Sequence, residues 1–534
     1  MGSADGGNVG QRDWKRRESL ASALVQVALV AVLLGAAVAF VVHRGRVRQQ
    51  AEERLKAAQT LAQRGNPADL QKALKELDAL FALDANVYGA HMLAADLQAE
   101  LWLEHHQPGA EAQARDHLAR AEALESKDVE RYGAKVVRAW VMLSEGKAAE
   151  ADQTLKALRD RGASNPKLWL AQARTDQALG NLLGARQAFS HAAEEAWKDP
   201  RFTAAYGEEL LEEGLFAQAH ETLGRALTTN PDHLEAQLLS ALSLLYMRDK
   251  PQDAERTLQQ VQAQEPELTP ALKARLLAAR AELALTRSQP DEAMKHADEA
   301  LALLPDEPFA LFSRARALAV KKDPSARAAF EAAVARHKTA PLLYLEGARS
   351  LQQAGDGPGA LALLDAYEAI FRDVQVPAGE GKTVSALERD DRYWLARGGV
   401  LEAAGQQDAS LAAYDRAIAV KGPALARAEY AKGSLLLARK DYAKAREVLA
   451  ALTPDTGVGP LPEAYAAMGE ALFSQGDYET GCQHYYIWLS RDRGRSVPLA
   501  QLQARAADIG KQLTTAGQPN MAKAWKTETD NLLK

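Results

Sequence analysis

Three short groups of residues carry side chains that could do chemistry, and the first resembles part of a phosphate-binding loop. Gly381, Lys382 and Thr383 match the end of that motif, in which backbone amides and a lysine hold the phosphates of a nucleotide. The first glycine of the motif would fall at position 376, where the chain has Val376, and the surrounding strand–loop–helix pattern is absent. We therefore predict no nucleotide and no cofactor site, and expect a solvated loop that contacts a partner.

The other two groups contain histidine or cysteine. His105 and His106 are adjacent, so on a helix they point in different directions, and no third metal ligand lies at a useful spacing. A satisfied surface pair is expected. Cys482 lies near His484, but nothing nearby supplies an orienting group or an oxyanion donor, so we expect a packed or half-exposed thiol. The sequence predicts neither an enzyme nor a metal site.

The segment from Asp391 to Ala424 indicates which elements would position such residues. Its large, small, turn and terminating residues follow a set order over 34 positions: Trp394, Gly398, Gly405, Tyr414, Ala417 and Pro423. Bulky residues hold two antiparallel helices together, small ones let them approach, glycine opens the turn, and proline ends the second helix. This order resembles the tetratricopeptide repeat (TPR), a helix-turn-helix unit that stacks into a solenoid.

A small residue just after the turn recurs along the chain at spacings mostly close to 34. These positions are Ala73, Ala114, Ala151, Ala185, Ala219, Ala254, Ala293, Ala326, Ala360, Ser410, Ala445 and Gly481. The resemblance covers about residues 50–490 and implies an all-α, right-handed superhelical solenoid of about 11–12 units. We expect this order of domains after the N-terminal segment: a first TPR array at 43–373, an inter-array loop at 374–390, a second array at 391–490, and C-terminal capping helices at 491–534.

Residues 20–42 contain no charged side chain and are long enough to cross the ~30 Å hydrocarbon core of a bilayer. We predict a transmembrane helix after a short basic tail at 1–19, rather than a cleaved signal peptide, whose apolar core is shorter. Ala31, Gly35 and Ala39 are four residues apart, a spacing that could pack two spans as a homodimer; a span without a partner is an equal alternative. Four basic residues precede the span closely and five follow it, so the charge balance alone nearly ties. A short positive tail before a single early span more often stays cytoplasmic, which favours a periplasmic large domain.

The charges are distributed unevenly along the chain. Residues 1–56 hold nine basic and five acidic side chains, whereas the remainder holds 56 basic and 66 acidic ones. A mildly acidic solenoid argues against binding to nucleic acid. The single cysteine excludes an internal disulfide framework.

The resemblance also implies where a partner would bind, because TPR proteins contact ligands through set places on the first helix of each unit. Those places hold Arg174, Gln177, Glu208, Tyr246, Glu282, Arg349, Arg392, Glu402, Tyr430 and Glu470. Both charges and tyrosine suit an extended peptide or another protein.

The function implied is a scaffold held by one span in a bacterial inner membrane, with its large domain on the periplasmic side. It would support assembly of a cell-envelope complex for secretion, pilus formation, motility or polysaccharide export. Two alternatives stay open: a cytosol-facing regulator or sensor that binds a signal peptide or an enzyme, and a glycan-binding export factor.

Overall fold

The computed structural model describes residues 20–124, 132–379, 382–493 and 497–534. In these ranges the chain forms twenty-six α-helices and one two-stranded sheet. The predicted basic tail and Gly381 lie outside the described residues.

The helices fall into antiparallel pairs joined by short turns. The first half comprises α1 (Leu20–Ala62), α2 (Pro67–Leu83), α3 (Tyr88–Leu103), α4 (Ala110–Ala123), α5 (Tyr132–Ser144), α6 (Ala148–Asp160), α7 (Pro166–Ala178), α8 (Leu182–Glu195), α9 (Pro200–Glu212), α10 (Phe216–Thr229), α11 (Leu234–Met247), α12 (Pro251–Gln262) and α13 (Pro270–Thr286). The second half comprises α14 (Pro290–Leu303), α15 (Pro308–Val320), α16 (Ala326–Arg336), α17 (Pro341–Ala354), α18 (Gly357–Phe371), α19 (Asp391–Ala403), α20 (Gln407–Val420), α21 (Leu425–Ala438), α22 (Tyr442–Leu449), α23 (Pro462–Ser474), α24 (Tyr478–Asp492), α25 (Leu499–Thr515) and α26 (Pro519–Leu532).

The small residue predicted to follow each turn is buried in all twelve units. Every one of these residues lies on the second helix of its hairpin, from Ala73 on α2 to Gly481 on α24. A small side chain there lets the two helices approach closely. The all-α repeat fold is confirmed.

A second contact recurs within the hairpins between a glycine on the first helix and a large residue sixteen positions later. A Cβ on Gly207 would lie 2.6 Å from Leu223, and one on Gly433 would lie 2.7 Å from Leu449. Gly398 meets the ring of Tyr414 in the same way. Only glycine allows these helix pairs to close as they do.

The chain divides into two compact units. The first contains Met1–Trp102 and Pro108–Val137. Its core joins the C-terminal half of α1 to α2 and α3 through Ala58, Leu77 and Leu97. The N-terminal half of α1 is exposed from residue 24 to 42, and this helix is long and apolar enough to cross a membrane.

The second unit contains Leu103–Gln107 and Arg138–Lys534. One hydrophobic core extends through it from Ala204 to Ala428. The segment predicted as an inter-array loop interrupts the repeat without interrupting this core, because α19 packs against both α17 and α18.

Within the segment predicted as a solvated loop, two short strands pair, and their described side chains are exposed or half-buried. Strand β1 (Gln375–Gly379) pairs antiparallel with β2 (Lys382–Ser385), and a 3-10 turn at Ala386–Arg389 follows. Extended, β-branched residues such as Val376 and Val384, which pair directly, account for the strands. Lys382 and Thr383 lie on a strand, whereas a phosphate loop ends at a helix N-terminus.

Candidate functional site: the first-helix face of the second unit

The first helices of successive hairpins lie side by side in the second unit, from α9 through α23. We call the surface they share the first-helix face. All ten residues predicted to contact a partner lie on first helices of hairpins, but their surroundings differ. Those on α7 to α13 contact one another or nearby charges, whereas several on α17 to α23 are more exposed.

Three predicted residues belong to a buried network centred on Glu208. The guanidinium of Arg174 donates to Glu208 Oε2 at 2.9 Å and to Gln177 Oε1 at 3.1 Å. It also donates to both carboxylate oxygens of Glu104, at 3.1 and 2.7 Å. The second guanidinium, of Arg275 on α13, contacts the other oxygen of Glu208. A carboxylate shared by two arginines therefore ties together elements that are far apart in sequence.

Arg275 has two further acidic neighbours. Its Nη1 donates to Glu235 Oε1 at 2.7 Å, and its Nε lies 3.5 Å from Glu307 Oε1. The other oxygen of Glu307 accepts from the backbone N–H of Ala310 at 2.6 Å and so caps α15. We call this set the central charge cluster: Glu104, Arg174, Glu208, Glu235, Arg275 and Glu307.

The carboxyl groups near α9 have opposite electrostatic environments. Burial by itself would raise the pKa of Glu208, but Arg275 and Arg174 outweigh it and lower that pKa to about 2. Burial and the charge of Glu208 raise the pKa of Glu212 to about 8. Burial and the neighbouring acids likewise raise the pKa of Glu209. One glutamate in this helix is thus held ionised, and its neighbours favour the protonated form.

A second group of contacts surrounds Glu282 and Tyr246. Glu282 forms an ion pair with Arg316 and accepts from Ser313 Oγ at 3.1 Å. The ring of Tyr246 lies 5.0 Å from that of Phe216, centroid to centroid, inside an aromatic cluster. Tyr246 is therefore not presented as a flat stacking surface.

Arg392 links two distant parts of the second unit. Its guanidinium donates to the backbone carbonyl of Glu213, at the C-terminal end of α9, although Arg392 lies in the first turn of α19. Helix α17 also packs against α9. Arg392 therefore fastens the repeats to one another.

Of the remaining four predicted residues, two have largely exposed side chains and two are half-buried. The side chains of Arg349 and Glu470 are 52% and 56% exposed, and their ion-pair contacts, to Glu346 and Arg505, are long at 3.6 and 3.8 Å. Glu402 accepts from Tyr414 at 2.6 Å. Tyr430 is half-buried against the core near Leu449.

The histidine pair and the cysteine differ in their burial. His105 is buried and only His106 is exposed, so the expected surface pair is wrong. His105 follows the end of α3 and belongs to the second unit. Burial lowers the pKa of His105. Cys482 is half-buried, and burial raises its pKa to about 11, so its thiolate is disfavoured at neutral pH. No group of three or more metal-ligating side chains occurs among the described residues.

Several members of the network were not predicted. Glu104, Glu235, Arg275 and Glu307 meet only through folding, and no local pattern marks them. The sequence itself does mark Glu209, Glu212 and Glu213 as unusual. With Glu208 they form two glutamate pairs around two leucines in one helix, an unusual density of acids for a buried element.

Comparison with known proteins gives only distant likenesses. No protein-family model matches the chain, and no curated protein matches it in sequence. A structure of a human IFIT1 dimer with PPP-AAAA is 18% identical, covering 77% of this chain and 92% of that one, with a TM-score of 0.39. The APC/C hetero-tetramer Cut9-Hcn1 is 13% identical, covering 88% and 96%, with a TM-score of 0.38.

The family type therefore rests on the packing of this chain itself. Buried small residues follow each turn, and glycines meet large residues at a constant spacing within the hairpins. These are the contacts that the repeat pattern predicts. The chain is a helical-repeat protein of the tetratricopeptide type, with a long apolar helix near its N-terminus.

Proposed function

We propose that this chain is a membrane-anchored TPR scaffold that binds protein partners and supports assembly of a bacterial cell-envelope complex. The observation that carries the proposal is the continuity of α1. Its exposed apolar half continues without a break into the half that packs in the core of the first repeat. Such a helix would hold the repeats at a bilayer, where they offer successive surfaces to several partners.

The two parts of the first-helix face would have different roles. The central charge cluster is satisfied internally to a large extent, so we assign it to fixing the shape of the scaffold. Arg349 and Glu470 retain exposed charged groups, and an extended peptide carrying both charges could pair with them. Partner contact is therefore proposed at α17 to α23, and glycan stacking is less favoured because Tyr246 lies within an aromatic cluster.

The double charge reversal Arg349→Glu with Glu470→Lys is expected to remove specific proteins from a crosslinked pull-down of the full-length chain out of native membranes. Both side chains are largely exposed, so the fold should be unchanged. Arg256→Glu with Glu292→Lys is a matched control, because it also reverses two charges at no change in net charge, and these side chains lie 68% and 51% exposed on the second helices α12 and α14. If the double variant and the control recover the same proteins as the wild type, these residues do not form the partner site.

Alkaline phosphatase fused after Lys534 is expected to be active in cells, because a short basic tail before a single span favours a periplasmic large domain. The same fusion lacking residues 20–42 serves as the control and should be inactive. A stable but inactive full-length fusion would contradict the periplasmic scaffold. It would support the cytosol-facing regulator instead.

A further inference from the structure

The last helical hairpin has an open groove where other hairpins carry another helix. Along the middle of the second unit, from α9 to α23, the helix after a hairpin contacts both of its members: α15 contacts α13 and α14, α17 contacts α15 and α16, and α23 contacts α21 and α22. No described element covers the corresponding side of α25 and α26, where a cavity of about 890 Å³ lies between the two helices.

The residues on the floor of this groove are small and apolar, and the indole N–H there already has a hydrogen-bond partner. Ala507, Gly510 and Ala522 line it, and side chains of this size let another helix approach closely. The indole N–H of Trp525 donates to the carbonyl of Ala506 at 2.8 Å, so this donor is not available to a small ligand. A helix with small or apolar contact residues suits this surface better than a polar small molecule.

The rim of the groove is positively charged. Lys511, Lys523 and Lys526 are exposed and form no ion pair with any described residue. By contrast, Arg505 on α25 lies 3.4 Å from Asp508 and 3.8 Å from Glu470. Among the side chains lining the groove, that of Asp530 is the one carboxylate.

We propose that the groove between α25 and α26 binds an amphipathic helix of a partner protein whose small or apolar face is flanked by acidic side chains. The 17 residues of α25 give a groove of about 25 Å, or four to five helical turns. A second copy of this hairpin fits poorly, since pairing two such grooves would place their lysines against each other. Neither Arg349 nor Glu470 lines the groove, so the proposal does not depend on the proposed function.

The test uses the full-length protein in detergent and two fluorescent helical peptides of about 18 residues. They share an alanine and leucine face and differ only in their flanking residues, glutamate in one and lysine in the other. The wild type should bind the glutamate peptide preferentially. The triple variant Lys511→Glu, Lys523→Glu and Lys526→Glu should weaken that binding at least about tenfold at low salt and gain affinity for the lysine peptide. Fluorescence anisotropy measures both affinities.

Two further variants keep the test specific. Lys75→Glu, Lys295→Glu and Lys444→Glu change the net charge equally at exposed sites elsewhere, and this control should bind like the wild type. Ala507→Trp places bulk on the exposed floor and should abolish binding of the glutamate peptide.

Three outcomes would overturn the proposal. The first is equal binding of both peptides, or of neither, by the wild type. The second is an equal loss of binding in the control variant, which would show a non-specific charge effect. The third is a wild-type dimer, measured by light scattering, that Ala507→Trp converts to a monomer without any peptide binding, which would assign the groove to a second copy.

Discussion

Replacing Glu208 with glutamine is expected to lower the free energy of unfolding of the second unit by about 3 kcal/mol at pH 7. Glutamine preserves the shape of the side chain and removes its charge. The guanidiniums of Arg174 and Arg275 would both lose their shared counterion in a buried place, where an uncompensated charge is costly. Chemical denaturation of wild type and variant measures the difference.

The effect of this substitution should depend on pH in a defined direction. The pKa of Glu208 is lowered to about 2 in the folded chain, so its contribution is complete above the ordinary value of about 4.5. It is lost as the pH falls from about 4.5 toward 2. The stability difference between wild type and Glu208→Gln should therefore be constant above about pH 5 and shrink below it.

Glu212→Gln is the matched control, four residues along the same helix. The pKa of Glu212 is raised to about 8, so the folded state resists its ionisation, and the cost grows as the pH rises from about 4.5 to 8. Because this side chain is partly exposed, we expect a gain of only about 1 kcal/mol at pH 8 and almost none at pH 5. If both glutamine variants lose similar stability at pH 8, the opposite environments assigned to these two glutamates are wrong.

Gly398→Ala should lower the free energy of unfolding by about 2 kcal/mol, because the added methyl group would collide with the ring of Tyr414. This loss exceeds the gain of about 1 kcal/mol that alanine usually brings inside a helix. The neighbouring Gly399→Ala isolates that gain. A Cβ at Gly399 has no atom closer than 3.8 Å, at Gln352, so this variant should be neutral or more stable. Thermal and chemical unfolding of the two variants provide the comparison.

Equal stabilisation by both alanines would contradict the close packing of α19 on α20. A loss confined to Gly398→Ala would support the glycine-to-large contact as a determinant of hairpin geometry. The same comparison then applies to Gly207 and Gly433, which meet Leu223 and Leu449.

The repeat fold could be predicted because its signals are local and recur. A turn, the small residue after it and a large residue in the middle of the second helix all lie within one unit, as in Asp391–Ala424. The apolar run at 20–42 is equally local. Each of these patterns needs only the periodicity of a helix to be interpreted.

The charge network could not be predicted in the same way. Arg275 meets Glu208 across 67 positions, and Arg392 meets the backbone of Glu213 across 179. These distances depend on how the hairpins stack, which no single repeat encodes. The register indicated which residues lie on first helices, but it did not show that Arg174 and Glu208 would neutralise one another. The β-hairpin at 375–385 was missed because four- and five-residue strands give little periodic signal.

The uninterrupted helix α1 sets the rotational phase of the first repeat. Its 43 residues extend about 65 Å at 1.5 Å per residue, with no loop between the exposed apolar half and the packed half. If the apolar half lies in a bilayer, as proposed, the orientation of the first hairpin about the helix axis would be fixed relative to that half. Each residue inserted near Arg46 would turn the hairpin by about 100° and raise it by about 1.5 Å. The number of residues in α1 would therefore set the direction in which the first repeat faces.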